Sequence, residues 1–86
     1  MKIFKYEMPD AGKTKEVYLP KDAQVLSVQA QDQKIYLWAA VEESNAAELR
    51  RFRTVGTGWD LPSGSIEHLG TVQQSIFVWH VWELLS

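Results

Sequence analysis

The sequence predicts a mainly β fold, an antiparallel β-sandwich or small barrel of about six or seven short strands with at most one short helix. Three observations carry that expectation. Apolar residues alternate with a period of two in segment after segment, turn chemistry recurs at roughly ten-residue spacing, and only one stretch has a helix-like pattern.

Residues 2 to 8 place Phe4, Tyr6 and Met8 on one face and Lys5 and Glu7 on the other, as in a half-buried strand. Pro9-Asp10-Ala11-Gly12 supplies a turn, and alternation resumes from Lys15 to Leu19 through Val17 and Leu19, so a hairpin is expected. Pro20-Lys21-Asp22-Ala23 ends the second strand, and Val25 to Gln31 starts the next with Leu26, Val28 and Ala30 inward. Asp32-Gln33 is the following tight turn. From Ile35 to Val41, Ile35, Leu37, Ala39 and Val41 share one side and Tyr36 and Trp38 the other, so the strand is central or covered by a partner.

Glu43-Ser44-Asn45-Ala46-Ala47-Glu48-Leu49-Arg50 is the helix-like stretch, with Asn45 as N-cap and Glu48 completing a partial capping box. Two turns alone are marginal in water, so a short helix or a structured loop is expected, leading into a strand from about Arg51 to Val55. Gly56-Thr57-Gly58 and Pro62-Ser63-Gly64 bracket a loop that holds Trp59, Asp60 and Leu61. Ile66 to Gln73 and Ile76 to Glu83 form the last strand pair, turning at Gln73-Gln74-Ser75. In the last strand Ile76, Val78, His80 and Trp82 oppose Phe77, Trp79 and Val81, which again places it mid-sheet or at an oligomer interface.

Eighty-six residues make one domain, residues 1–86, and at this size folding buries only about 60 to 65% of the unfolded surface. The composition, 45% hydrophobic and 23% charged, is that of a globular chain without low-complexity tracts. Cysteine is absent, which removes disulfides, thiolate metal ligation and thiol catalysis and suits a reducing cytoplasm. The N-terminus lacks the apolar run of a signal peptide, no stretch is apolar enough for a membrane span, and a cytosolic protein is expected.

A net charge of −2 argues against general nucleic-acid binding, yet the charge is uneven. Every arginine lies in Arg50, Arg51 and Arg53, whereas the chain from Thr54 onward carries no lysine or arginine and holds Asp60, Glu67 and Glu83. Arginine binds phosphate bidentately and stacks on bases, so Arg50, Arg51, Phe52 and Arg53 are the first ligand-contact candidates. A strand divides them, with Arg51 and Arg53 on one side and Arg50 and Phe52 on the other, which suits a two-arginine anion clamp. The competing possibility is cross-strand pairing with Glu67, Glu42 or Glu83. Trp59, beside Asp60 in a glycine-flanked loop, offers a stacking surface or folds back as a lid. Tyr36, Trp38, Trp79 and Trp82 are interface candidates, to be covered either by a second sheet or by an identical copy of the chain.

Other constellations are weak. Gly56-Thr57-Gly58 lacks the lysine and following helix of a phosphate loop and reads as a turn. His68 and His80 have no metal-site spacing, so neither a metal nor a cofactor is expected. A Ser-His-Asp set can be drawn from Ser63 or Ser65, His68 and Asp60, but no nucleophile elbow surrounds either serine, and catalysis is not expected.

The residues Lys5-Tyr6, Pro9, Val25-Leu26-Ser27-Val28, Leu37-Trp38-Ala39, Arg51-Phe52, Gly56-Thr57-Gly58, Leu69-Gly70-Thr71-Val72 and Val78-Trp79-His80-Val81 resemble a family of small proteins found chiefly in bacteriophages and prophages. The resemblance covers nearly the whole chain, consists mostly of strand interiors and turn glycines, and implies a phage or prophage context, with the bacterial host cytoplasm as the location. In that family a histidine often follows the Gly-Thr-Gly turn, where this chain has Trp59. The resulting expectation is a non-catalytic, homo-oligomeric binding protein that sequesters an anionic, nucleotide-like ligand or blocks a host defence component. The alternative is an accessory or structural protein acting through protein contacts and self-assembly, with no small ligand.

Overall fold

The computed structural model describes residues 1–86. It contains seven strands and no helix: β1 Lys2–Glu7, β2 Thr14–Pro20, β3 Gln24–Gln31, β4 Lys34–Val41, β5 Ala47–Gly56, β6 Ile66–Gln74 and β7 Phe77–Leu84. These form two antiparallel sheets, ordered β1-β4-β3 and β2-β5-β7-β6. The extents, 39 × 30 × 15 Å, are those of a two-layer sandwich.

The two segments with apolar residues on both faces are interior strands, β4 between β1 and β3 and β7 between β5 and β6; β5, between β2 and β7, is the third. Leu37, Ala39 and Val41 from β4 meet Leu19, Phe52 and Val81 in a core from which water is excluded. Burying side chains of this kind stabilises the fold by about 1.5 to 3 kcal/mol each. The layers come closest where β3 faces β6. A Cβ on Gly70 would stand 2.9 Å from Val28 Cβ, so glycine there sets the spacing between the sheets.

Long-range pairing overrides several local expectations. The first two strands do not form a hairpin: β1 pairs with β4 and β2 with β5, in different sheets. The Met8–Lys13 connection crosses the end of the sandwich instead, held by Met8 N–H to Ile35 O at 2.8 Å and Gly12 N–H to Thr54 O at 2.8 Å. Thr54 Oγ1, fully buried, donates to Pro9 O at 2.8 Å.

The helix-like stretch from Glu43 to Arg50 contains no helix. Asn45 does not cap one; its side chain donates to Lys21 O at 2.9 Å, and Ala47 to Arg50 join β5 opposite Pro20 to Val17. Adjacent ladder bonds from β2 outweigh a two-turn helix that has little stability of its own. The strand expected from Arg51 therefore begins four residues earlier, at Ala47.

Leu26 also departs from expectation. A bulge between Val25 and Ser27 gives the inward place to Val25 and leaves Leu26 49% exposed. At the other end of β3, Asp32 and Gln33 both have positive φ, 52° and 67°, as a two-residue hairpin turn with the sheet's twist requires. The last hairpin turns on Ser75 and Ile76 rather than on Gln73 to Ser75. Ile76 is therefore not the first residue of β7 but an apex residue, 86% exposed.

Candidate ligand-binding face

Strand parity separates the arginines. Arg50 and Phe52 point into the sandwich, and Arg51 and Arg53 point out from the four-stranded sheet. Phe52 is 0% exposed and presents no surface to a ligand. Arg50 is taken up by the fold: its Nε and Nη2 donate to Glu83 Oε2 and Oε1 at 2.6 and 2.7 Å, and its Nη1 donates to Ala23 O at 2.8 Å. Of the three glutamates open to pairing, Glu83 is the partner, and it is 5% exposed. Its carboxylate, hydrogen-bonded bidentately, holds the Arg50 guanidinium above its ordinary pKa against the opposing effect of burial.

Arg51 and Arg53 are differently placed. No carboxylate lies within ion-pair distance of either, although Glu16 stands opposite Arg51 in the β2–β5 register. Arg53 Nη1 donates to Thr14 Oγ1 at 3.1 Å, which orients the guanidinium without neutralising it. Together they line an open cavity of about 480 Å³ whose other wall is Asp60 to Ser63 with Leu84 and Ser86. Two guanidinium groups and the Asp60 carboxylate line this space, and an anion there would find forked donors one strand repeat apart.

The opposite wall is the loop from Thr57 to Gly64. Trp59 N–H donates to Gly56 O at 3.1 Å, closing a turn that Gly58 completes with φ +88°. Trp59 folds back over the end of the sheet and stays half exposed. Its ring packs edge-on to Trp79 at 5.8 Å and its six-membered ring lies against Gly12, yet it stays 50% exposed. Gly56 makes this possible, because a Cβ there would stand 2.8 Å from Trp59 Cε2. Phe77 stacks on Trp79 at 5.3 Å, and the three rings border a recess of about 400 Å³ at the end of the sheet.

Between loop and sheet lies a smaller recess of about 240 Å³, lined among others by Val55, Leu61, Trp59, His80 and Trp82. Val55 is on the outer face yet only 2% exposed, since the loop covers it. Beside it runs a polar chain that the sequence did not announce. Thr57 Oγ1 and His80 Nε2 share a hydrogen bond at 2.8 Å, His80 Nδ1 and Thr71 Oγ1 one at 2.9 Å, and Thr71 Oγ1 and His68 Nε2 one at 3.0 Å. Trp82 packs against His68 with ring centroids 5.0 Å apart, and its indole N–H is buried without an acceptor.

The four interface candidates do not share a surface. Tyr36 and Trp38 form an edge-to-face pair at 6.1 Å on the outer side of the three-stranded sheet, with Lys5 Nζ 4.5 Å from the Tyr36 ring centre. Trp79 lies at the end of the sandwich, where its Nε1 donates to Gln74 Oε1 at 3.1 Å, and Trp82 lies under the loop. No helix is long and apolar enough to cross a membrane. No curated protein and no solved structure matches the chain. A family does: over residues 1–86 the sequence matches a domain of unknown function, DUF7352, and the chain belongs to that family.

Proposed function

We propose that the chain is a small non-catalytic binding protein that holds an anionic, nucleotide-like molecule on the outer face of its four-stranded sheet. The observation that carries this is the contrast within one strand. Arg50 is neutralised by Glu83, whereas Arg51 and Arg53 face an open cavity with no carboxylate in contact. Guanidinium pairs left uncompensated repel each other, and a phosphate-bearing ligand removes that cost. Exposed aromatic surface on Trp59, in the same loop that walls the cavity, adds a place for a ring to stack.

The phage or prophage setting suggested by the sequence motifs gives the binding a purpose, depletion of a nucleotide-like host defence signal in the bacterial cytoplasm. Protein purified from its bacterial host and then denatured should release a nucleotide detectable by mass spectrometry, and the Arg51→Ala, Arg53→Ala double variant should release none. Equal release from both would remove the arginine pair from the account.

A second reading has its own observation. Ile76, 86% exposed at the β6–β7 apex, continues into Phe77, Val78 and Trp59 as an apolar patch, which suits docking to a host protein or to a second copy. Light scattering after gel filtration decides the second-copy version: a species of 9.9 kDa, a lone chain, would refute self-assembly.

A further inference from the structure

The β6–β7 turn carries an isoleucine where tight turns favour glycine, asparagine, aspartate or serine. Ile76 is the most exposed of the large apolar side chains and buries almost nothing within its own chain. We propose that this end of the sandwich is the contact of a twofold dimer, in which Ile76 of each copy enters the aromatic recess of the other. This deepens the second reading above, on which it rests: the occupant of the patch is a second copy, and the arginine face takes no part.

Shape comes first. Beside the protruding Ile76 lies the recess of about 400 Å³, walled by Trp59 on one side and by the stacked Phe77 and Trp79 on the other. A projection and a hollow thus stand next to each other on one patch. A twofold rotation brings the projection of each copy to the hollow of the other, which is the self-complementarity an isologous interface needs. A foreign protein would have to supply both shapes.

Charge decides next. In a twofold contact a patch meets itself, so a charge near the axis faces its own kind. Nothing charged lines this recess, and Gln73 to Trp79 holds no acidic or basic side chain. Asp60, which follows Trp59 in the chain, lines the arginine cavity instead. The other exposed aromatic face lacks this property, because Lys5 Nζ stands 4.5 Å from the Tyr36 ring centre. The absence of lysine and arginine from the recess also removes the attraction that anionic lipid headgroups would exert.

Sedimentation equilibrium over a concentration series should give a mass that rises to twice 9.9 kDa and stops there, since a twofold contact closes at two copies. Ile76→Asp, at a side chain with almost no packing to lose, should weaken association about tenfold or more. Ile3→Asp, at another exposed apolar residue on the three-stranded sheet, should leave it unchanged.

A lone chain at every concentration would overturn the dimer and the second-copy version of the reading it rests on. If that lone chain floats with phosphatidylcholine vesicles, the patch belongs to a lipid surface instead. A dimer that survives Ile76→Asp would leave self-assembly standing and remove this contact from it. Growth in mass beyond two copies would overturn the twofold arrangement.

Discussion

Replacing Arg50 with alanine should cost far more stability than replacing its neighbour Arg51, although the two differ by one position on one strand. Glu83 is 5% exposed and accepts both of its hydrogen bonds from Arg50, so the Arg50→Ala chain keeps a buried carboxylate with no partner. Ala23 O loses its donor as well. Breaking a fully buried pair costs about 3 to 5 kcal/mol, and the partial exposure of the Arg50 side chain, 16%, lowers the expectation to about 2 to 4 kcal/mol. A domain of this size shifts its melting temperature by about 4 to 8 °C per kcal/mol, so Arg50→Ala should melt at least about 8 °C lower.

Urea unfolding followed by tryptophan fluorescence reads the difference directly. Arg51→Ala should stay within about 0.5 kcal/mol of the unaltered protein, as exposed substitutions do. Exchanging both partners, Arg50→Met with Glu83→Leu, should recover most of the loss, because no buried charge is left behind. A loss below about 0.5 kcal/mol for Arg50→Ala would refute the assignment of this pair as a structural lock, and with it the claim that only Arg51 and Arg53 are free for a ligand.

Gly70→Ala should cost about 1 to 3 kcal/mol in the same urea assay, since the new methyl group meets Val28 and pushes the sheets apart. Gly56→Ala should displace the Trp59 ring, which a change in tryptophan emission without loss of the β circular-dichroism signal would report. The Glu7 carboxyl lies below its ordinary pKa of 4.5, first through its hydrogen bond from Lys34 and then through the charges of Lys34 and Lys15. A lowered folded-state value means that this stabilisation is present above pH 4.5 and is lost as pH falls through the folded value. Lys34→Met should flatten that part of the pH–stability curve, and a curve unchanged by it would contradict the pairing.

How far the sequence discloses this molecule depends on which interactions decide each feature. The alternations in Ile35–Val41 and Ile76–Glu83 are local and strong, and they mark two of the three interior strands, β4 and β7, but not β5. Sheet membership is not local. Pro9 to Gly12 has the chemistry of a turn, but whether β2 folds back on β1 or crosses to β5 depends on partners forty residues away, such as Thr54 for Gly12. Ala47 to Arg50 has helix-compatible residues and becomes strand because β2 offers a ladder.

In the candidate site, the division of Arg51 and Arg53 from Arg50 and Phe52 follows from parity and is legible. Glu83 as the partner of Arg50 is one of three options until registers are known. The histidine and threonine chain is hidden by a bulge. A regular β6 would set Gly70 opposite His80, and the slip between His68 and Gly70 brings Thr71 there instead.

The central claim, that Arg51 and Arg53 on the outer face bind an anionic nucleotide-like ligand, is tested most directly by calorimetric titration of adenosine, guanosine, cytidine and uridine monophosphates. At low salt at least one should bind the unaltered chain, weaken as salt screens the phosphate, and lose about tenfold or more in affinity with Arg51→Ala and Arg53→Ala together. No heat from any of the four, or an affinity that ignores both the salt and the double substitution, would contradict it.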